Sequence, residues 1–243
     1  MLCLNYCAVA SKTVFAVLII SAVIIVFSVV GLMLSADADA YLSSVVDENI
    51  TFPTVIIDPG HGGEDGGAEA NGVTEKNINL AVSLMLSDYF SVSEYECVLT
   101  RKDDRLLYCQ GEEKNKKRHD LINRVKFAND IGNALFVSIH QNKFEIPKYK
   151  GLQVYYSPNN KQSRVLAEII QSKAKQYIDV SNNREVKQAD FRIKVLDMLK
   201  MPAVLIECGF LSNPEEAKLL SSMEYQKKIA FVSYLSLVEY LNK

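Results

Sequence analysis

The chain holds only three histidines, and two of them stand where strand-like runs stop. His61 lies in Asp58-Pro59-Gly60-His61-Gly62-Gly63, directly after the apolar run Thr54–Ile57. His140 ends the run Leu135-Phe136-Val137-Ser138-Ile139-His140. Glu75 opens the first long helical pattern, and Glu207 ends Ala203-Val204-Leu205-Ile206-Glu207. The glycines around His61 let the backbone turn sharply and approach a ligand closely. Two imidazoles with one carboxylate form a common catalytic zinc set that leaves a fourth position for water. Zinc lowers the pKa of such water toward about 7. A second carboxylate that is not a ligand can take the water's proton and pass it to a leaving amine, a role that suits Glu207. The competing reading of the same four residues is a pair of structural histidines and two solvated glutamates. The third histidine, His119, sits between Arg118 and Asp120 in a charged stretch and reads as a surface residue. Cys208 follows Glu207, and side chains alternate across a strand, so it reads as a small buried residue facing away from the site.

These residues need a scaffold that brings them together. Short β-branched or apolar runs predict strands at Thr54–Ile57, Cys97–Thr100, Leu135–Ile139, Leu152–Tyr156, Arg192–Leu196 and Ala203–Ile206. Helical patterns lie between them. Ile78, Ala81, Val82, Met85 and Tyr89 share a face of Glu75–Phe90, and Val165, Leu166, Ile169, Ile170 and Tyr177 share one of Gln162–Ile178. A shorter helix is expected over Leu121–Asp130. Asn213-Pro214-Glu215-Glu216 reads as a helix start, and Ser221-x-x-Glu224 as a capping box opening a last helix toward Tyr240. Strands alternating with helices predict an α/β sheet covered on both faces. If the strands are parallel, their C-terminal ends share the edge where open α/β sheets carry their binding crevice, and the four residues converge there. The charged stretch Arg101–His119 reads as a solvated loop; its functional alternative is a groove wall that attracts carboxylates.

Composition narrows the class. The 243 residues carry a net charge of −2, which suggests no nucleic-acid partner. Five cysteines with no Cys-x-x-Cys pair make neither a disulfide framework nor a thiolate metal site. Val14–Leu34 is an uncharged apolar run whose helix would be about 31 Å long, enough to span a bilayer. Lys12 precedes it and Asp37 and Asp39 follow, which predicts the N-terminus inside and the remainder outside. The expected organisation is therefore a cytoplasmic N-terminus (1–13), a transmembrane anchor or uncleaved signal (14–34), a tether (35–52) and one globular domain (53–243). Cleavage near Ala36–Ala40 would release the domain instead.

The motifs, taken in order, resemble the zinc-dependent N-acetylmuramoyl-L-alanine amidases of the amidase-3 type. The matching stretches are Val55–Gly63 with Asp65–Ala68, Glu75–Leu80, Thr100-Arg101, Arg124 with Ala128-Asn129, Phe136–His140 with Asn142, and Val204–Asn213. The resemblance runs over residues 53–243. It implies zinc held by His61, Glu75 and His140, with Glu207 as the catalytic glutamate. It also implies a six-stranded, mostly parallel sheet and hydrolysis of the amide between the lactyl group of N-acetylmuramic acid and L-alanine of the stem peptide in peptidoglycan. Lys143 stands where many members have a small residue, a departure expected to alter the groove. The apolar N-terminal run, Gly151–Tyr156 and Asn183-Arg184-x-x-Lys187 resemble the sporulation branch, which strips stem peptides on the way to muramic-δ-lactam in spore cortex. The alternatives are a vegetative wall-turnover amidase, a zinc peptidase cutting within the stem, and a non-catalytic membrane-anchored wall-binding module. A protein activator is a further partner such a chain could need.

Overall fold

The central strands explain why the fold buries both faces of its sheet. In β1 (Thr54–Pro59) every residue is buried, and β5 (Ala134–Asn142) and β8 (Ala203–Phe210) are nearly as enclosed. Such strands read as continuous apolar runs rather than alternating ones, the pattern of a sheet covered on two sides. The computed structural model describes residues 24–30 and 52–243. Residues 24–30 are helical with exposed side chains. The other positions of the expected cytoplasmic segment, anchor and tether, 1–23 and 31–51, lie outside the described residues. Among the described residues no helix is long and apolar enough to cross a membrane.

The unit from Phe52 to Lys243 is built on a six-stranded sheet. Besides β1, β5 and β8 it contains β4 (Cys97–Leu99), β6 (Gln153–Tyr156) and β7 (Lys187–Gln188), in the order β4-β1-β5-β8-β6-β7. The pairs β4/β1, β1/β5, β5/β8 and β6/β7 are parallel, and β6/β8 is antiparallel. A small hairpin of β2 (Glu69–Ala70) and β3 (Val73–Thr74) stands apart from the sheet.

Strand parity sorts the core into two clusters. Val55, Ile57, Leu135, Val137, Ile139, Val204 and Ile206 pack with residues of α1 (Glu75–Phe90), α3 (Gln162–Tyr177) and α6 (Met223–Leu241). Ile56, Phe136, Ala203 and Leu205 face the other way, against Val125 and Ala128 of α2 (Lys116–Ile131) and Val195 and Leu196 of α4 (Lys194–Met198). By the same alternation Asp58, His140 and Glu207 belong to the α2/α4 face, and Cys208 to the other. His140 and Glu207 are direct register partners across β5 and β8. Cys208 is fully buried, with its thiol pKa pushed up by that burial.

Several local expectations need correction. Arg192–Leu196 is not a strand: Arg192 N donates to Asp190 Oδ1, Ile193 N donates to Asp190 O, and α4 begins at Lys194. The apolar pair Val195-Leu196 fits a buried helical turn as well as a strand, so the pattern was ambiguous there. The sixth strand is instead the polar dipeptide of β7, recruited by β6. The helix expected at Leu121 starts at Lys116, because its first turn is polar and carries no apolar period. The last helix is capped by Ser222, whose hydroxyl accepts from Tyr225 N; Ser221 Oγ instead donates to Ala217 O. The Asn213 cap of α5 (Pro214–Leu220) forms as expected, accepting from Glu215 N and Glu216 N.

Candidate active site

The site begins with a carboxylate buried at the end of β1. Asp58 is 2 % exposed and accepts hydrogen bonds from Thr100 Oγ1 (2.6 Å), Ser138 Oγ (2.7 Å) and Arg124 Nη1 (2.5 Å). Burial alone would raise its pKa, but the Arg124 charge and these hydrogen bonds outweigh it and hold the carboxyl below the usual range. Arg124 continues to Asp120, to Pro59 O and to His61 O (2.7 Å). A second guanidinium, that of Arg101, donates to Pro59 O and Gly60 O. Three consecutive carbonyls, at residues 59, 60 and 61, are thus gripped by two buried cations.

That grip supports a costly backbone. His61 has φ +62, a left-handed conformation that non-glycine residues seldom adopt. Gly60 is needed for a different reason. A Cβ there would lie 2.2 Å from His140 Nε2, so only glycine lets the loop pass over the His140 ring.

The loop, α1 and β5 then deliver three donors. His61 Nδ1 bonds to Asp65 Oδ2 (2.9 Å), which leaves Nε2 pointing toward Glu75 Oε1 at 3.4 Å. Glu75, 3 % exposed, accepts from Ala68 N (2.7 Å), Gln141 N (3.0 Å) and Asn79 Nδ2 (3.3 Å), and its Oε1 meets His140 Nδ1 at 2.8 Å. One ligand atom from each of His61, Glu75 and His140 lies within 4.8 Å of the others. Burial disfavours charge on both His61 and Glu75, yet their mutual contacts win. Glu75, helped by Asp65, raises His61 to about 9, while His140 first and His61 second push Glu75 far below the usual carboxylate range.

Glu207 stands beside this cluster with a different environment. Its Oε2 is buried and has no hydrogen-bond partner among the described residues. Burial pushes its pKa up to about 7, with Glu75 adding to the rise and the two histidines opposing it. A cleft of about 340 Å³ opens over the α2/α4 face; His61, His140 and Glu207 line it, along with Lys117 on one side and Arg192 and Lys194 on the other.

The structure therefore brings together all four residues singled out by type and spacing. His119 pairs with Glu112 in the charged stretch and is not among the cleft residues. That stretch divides: Arg101 is a buried structural residue, most of the loop is solvated, and Lys117, at the start of α2, reaches the cleft. Lys143 does not line the cleft; its ammonium donates to Glu69 O. Sequence reasoning gave no role to Asp58, Arg124, Asp65, Asn79 or Gln141. A buried Asp ending an apolar strand was the available signal for the first of these.

The sequence profile described as N-acetylmuramoyl-L-alanine amidase matches residues 55–237. The chain belongs to that family. It is 33% identical over 191 residues to the germination-specific N-acetylmuramoyl-L-alanine amidase of Bacillus subtilis, covering 78% of this chain and 80% of that protein. The CwlD amidase from Clostridioides difficile, solved in complex with the GerS lipoprotein, superposes with a TM-score of 0.75 at 42% identity, covering 78% of this chain and 98% of that one. The amidase AmiC2 of Nostoc punctiforme superposes with a TM-score of 0.68 at 33% identity, over 79% of this chain and 98% of that one. The domain just described is thus that of a peptidoglycan amidase, an enzyme rather than a degenerate wall-binding module.

Proposed function

We propose that this amidase holds one zinc ion with His61, Glu75 and His140, and that Glu207 is its catalytic proton carrier. The observation that carries the reading is Glu207 Oε2, a buried carboxylate oxygen with no partner among the described residues, set beside three convergent donors. The donor set fits the ion: two imidazole nitrogens and a carboxylate oxygen suit a catalytic zinc site with one open position. Asp65 supports the fit, because a carboxylate on Nδ1 fixes the His61 tautomer and leaves Nε2 for a ligand role. Zinc bound there supplies Lewis acidity toward the scissile carbonyl and toward water.

The remaining work belongs to the protein. Glu207 accepts a proton from the attacking water as the new C–O bond forms at the lactyl carbonyl. It then delivers that proton to the alanine nitrogen as the C–N bond breaks, leaving a lactyl carboxylate and a free stem peptide. A carboxylate oxygen that is buried beside the three donors and unpartnered among the described residues is free to take and return that proton. The Asp58–Arg124 pair and Arg101 keep the His61 loop from shifting during turnover.

The substrate we assign is spore-cortex peptidoglycan, with removal of stem peptides preparing muramic acid for δ-lactam formation. The germination-specific relative and the CwlD relative support this assignment. The apolar run Val14–Leu34 and its flanking charges support an N-terminal anchor, N-terminus inside, with the enzyme on the extracytoplasmic face. The CwlD relative was solved with a lipoprotein, and a lipoprotein activator is the kind of partner we assign here. The test is digestion of defined muropeptides by the purified protein, with and without added zinc, read by mass spectrometry. Intact stem peptides beginning at L-alanine, released only with zinc, are the expected products. Cleavage within the stem, or undiminished activity in chelator, would overturn the assignment. Fractionation showing all the mature protein free of the membrane would remove the anchor.

A further inference from the structure

The cleft contains more charge than the reaction uses, and nearly all of it is internally paired. Asp58 and Asp120 pair with Arg124, Asp65 pairs with Lys117 at 2.7 Å, and Arg192 pairs with its neighbour Asp190. Glu207 is committed to proton transfer. Lys194 differs from the rest: it is exposed and lines the same cleft, yet its ammonium makes no hydrogen bond or ion pair within the described residues. Its base is firmly held. The next two residues, Val195 and Leu196, are buried in the core, Leu196 O accepts from Ser157 Oγ at 2.7 Å, and Asn159 Nδ2 donates to Asp197 O and Leu199 O. A solvated cationic arm on a rigid base therefore lines the active-site cleft with no partner among the described residues to neutralise it.

We propose that Lys194 is a specificity residue that binds a free carboxylate on the stem peptide, one residue beyond the alanine whose nitrogen is released. This rests on the amidase reading of the same cleft. The chemistry follows from the substrate. Stem peptides carry an acidic second residue, and where that glutamate is joined through its side-chain carboxyl its α-carboxylate is free. At about 3.3–3.6 Å per residue that carboxylate lies roughly 6–8 Å from the cut amide, a distance a cleft of about 340 Å³ can span. A lysine ammonium is a flexible point charge suited to a carboxylate that arrives with the substrate. Amidation of that carboxylate removes the charge and leaves the shape, so Lys194 would make the enzyme distinguish acidic from amidated stems.

The experiment uses the zinc-loaded enzyme and two muropeptides that differ only in whether the α-carboxylate of the second residue is free or amidated. For the wild type, the ratio of kcat/KM values should favour the free acid, mostly through KM. In Lys194→Met that ratio should fall about two- to fivefold, the size of a solvated ion pair. Lys194→Arg should restore it, and Lys194→Glu should drive it below the Met variant. High salt should shrink the wild-type preference. An unchanged ratio in Lys194→Met and Lys194→Glu overturns the subsite while leaving the amidase reading intact. Failure of the wild type to hydrolyse either muropeptide overturns both.

Discussion

Replacing Glu207 by Gln separates catalysis from stability, because this residue should serve one at the expense of the other. In the folded chain burial pushes Glu207 from the usual 4.5 to about 7, and Oε2 has no partner among the described residues. At about 1.4 kcal/mol for each tenfold change in proton affinity, the charged carboxylate costs the ion-free fold roughly 2–3 kcal/mol, the lower figure allowing for solvent at a partly exposed residue. The sign follows from proton uptake. A carboxyl whose folded pKa is raised binds more protons folded than unfolded between about pH 4.5 and 7, so its contribution to stability falls as pH rises through that window. Below it the cost is absent, and above it the cost is constant. Glu207→Gln keeps the shape and removes the titration. The zinc-free variant should therefore match the zinc-free wild type near pH 4.5 and exceed it by about 2 kcal/mol at pH 8, measured by urea unfolding. With zinc restored, the same variant should bind the ion stoichiometrically and turn over about 10²–10⁴-fold more slowly. A variant less stable than wild type at pH 8 would refute the buried, unpartnered state of the carboxylate. Near-normal turnover would place the proton carrier elsewhere, and loss of zinc would make Glu207 a ligand.

Three further outcomes test the frame around that residue. His140→Ala should lose stoichiometric zinc and activity together, measured by metal analysis of the dialysed protein; full activity in chelator would remove the site. Gly60→Ala should fold but force the His140 ring aside, since the new Cβ would sit 2.2 Å from Nε2, and turnover should drop by about 10²-fold or more. A normal rate would show that the loop can retreat freely. Asp58→Asn should cost about 1–3 kcal/mol at pH 7, because it removes one of the two buried carboxylates paired with Arg124 and leaves Asp120 alone to balance it. Because the folded pKa of Asp58 is depressed, its stabilisation is present above its unfolded pKa of about 4 and is lost as pH falls further, so the gap between variant and wild type should narrow in acid.

Much of this protein could be read from its residues before any coordinates. The runs at β1, β5 and β8 announced themselves by unbroken apolar character, because a strand buried on both faces has no polar alternation to obscure it. Residue type at the ends of those strands then marked His61, His140 and Glu207, and the opening of α1 marked Glu75. Spacing along the chain could not say that β5 and β8 lie side by side with His140 opposite Glu207; that is a matter of strand order, decided by long-range pairing. Nor could it separate a strand from a helical turn at Val195-Leu196, or find β7, whose two polar residues are held by a neighbouring strand rather than by any preference of their own. The network of Asp58, Arg124, Thr100 and Ser138 was likewise invisible, since its members come from four segments and have no common period. Local sequence sets which chemical groups exist and which short elements form. Only tertiary packing sets which groups lie together: Arg124, Thr100 and Ser138 hold Asp58 charged against the cost of its burial, two histidines do the same for Glu75, and burial without such partners lifts Glu207 toward neutrality.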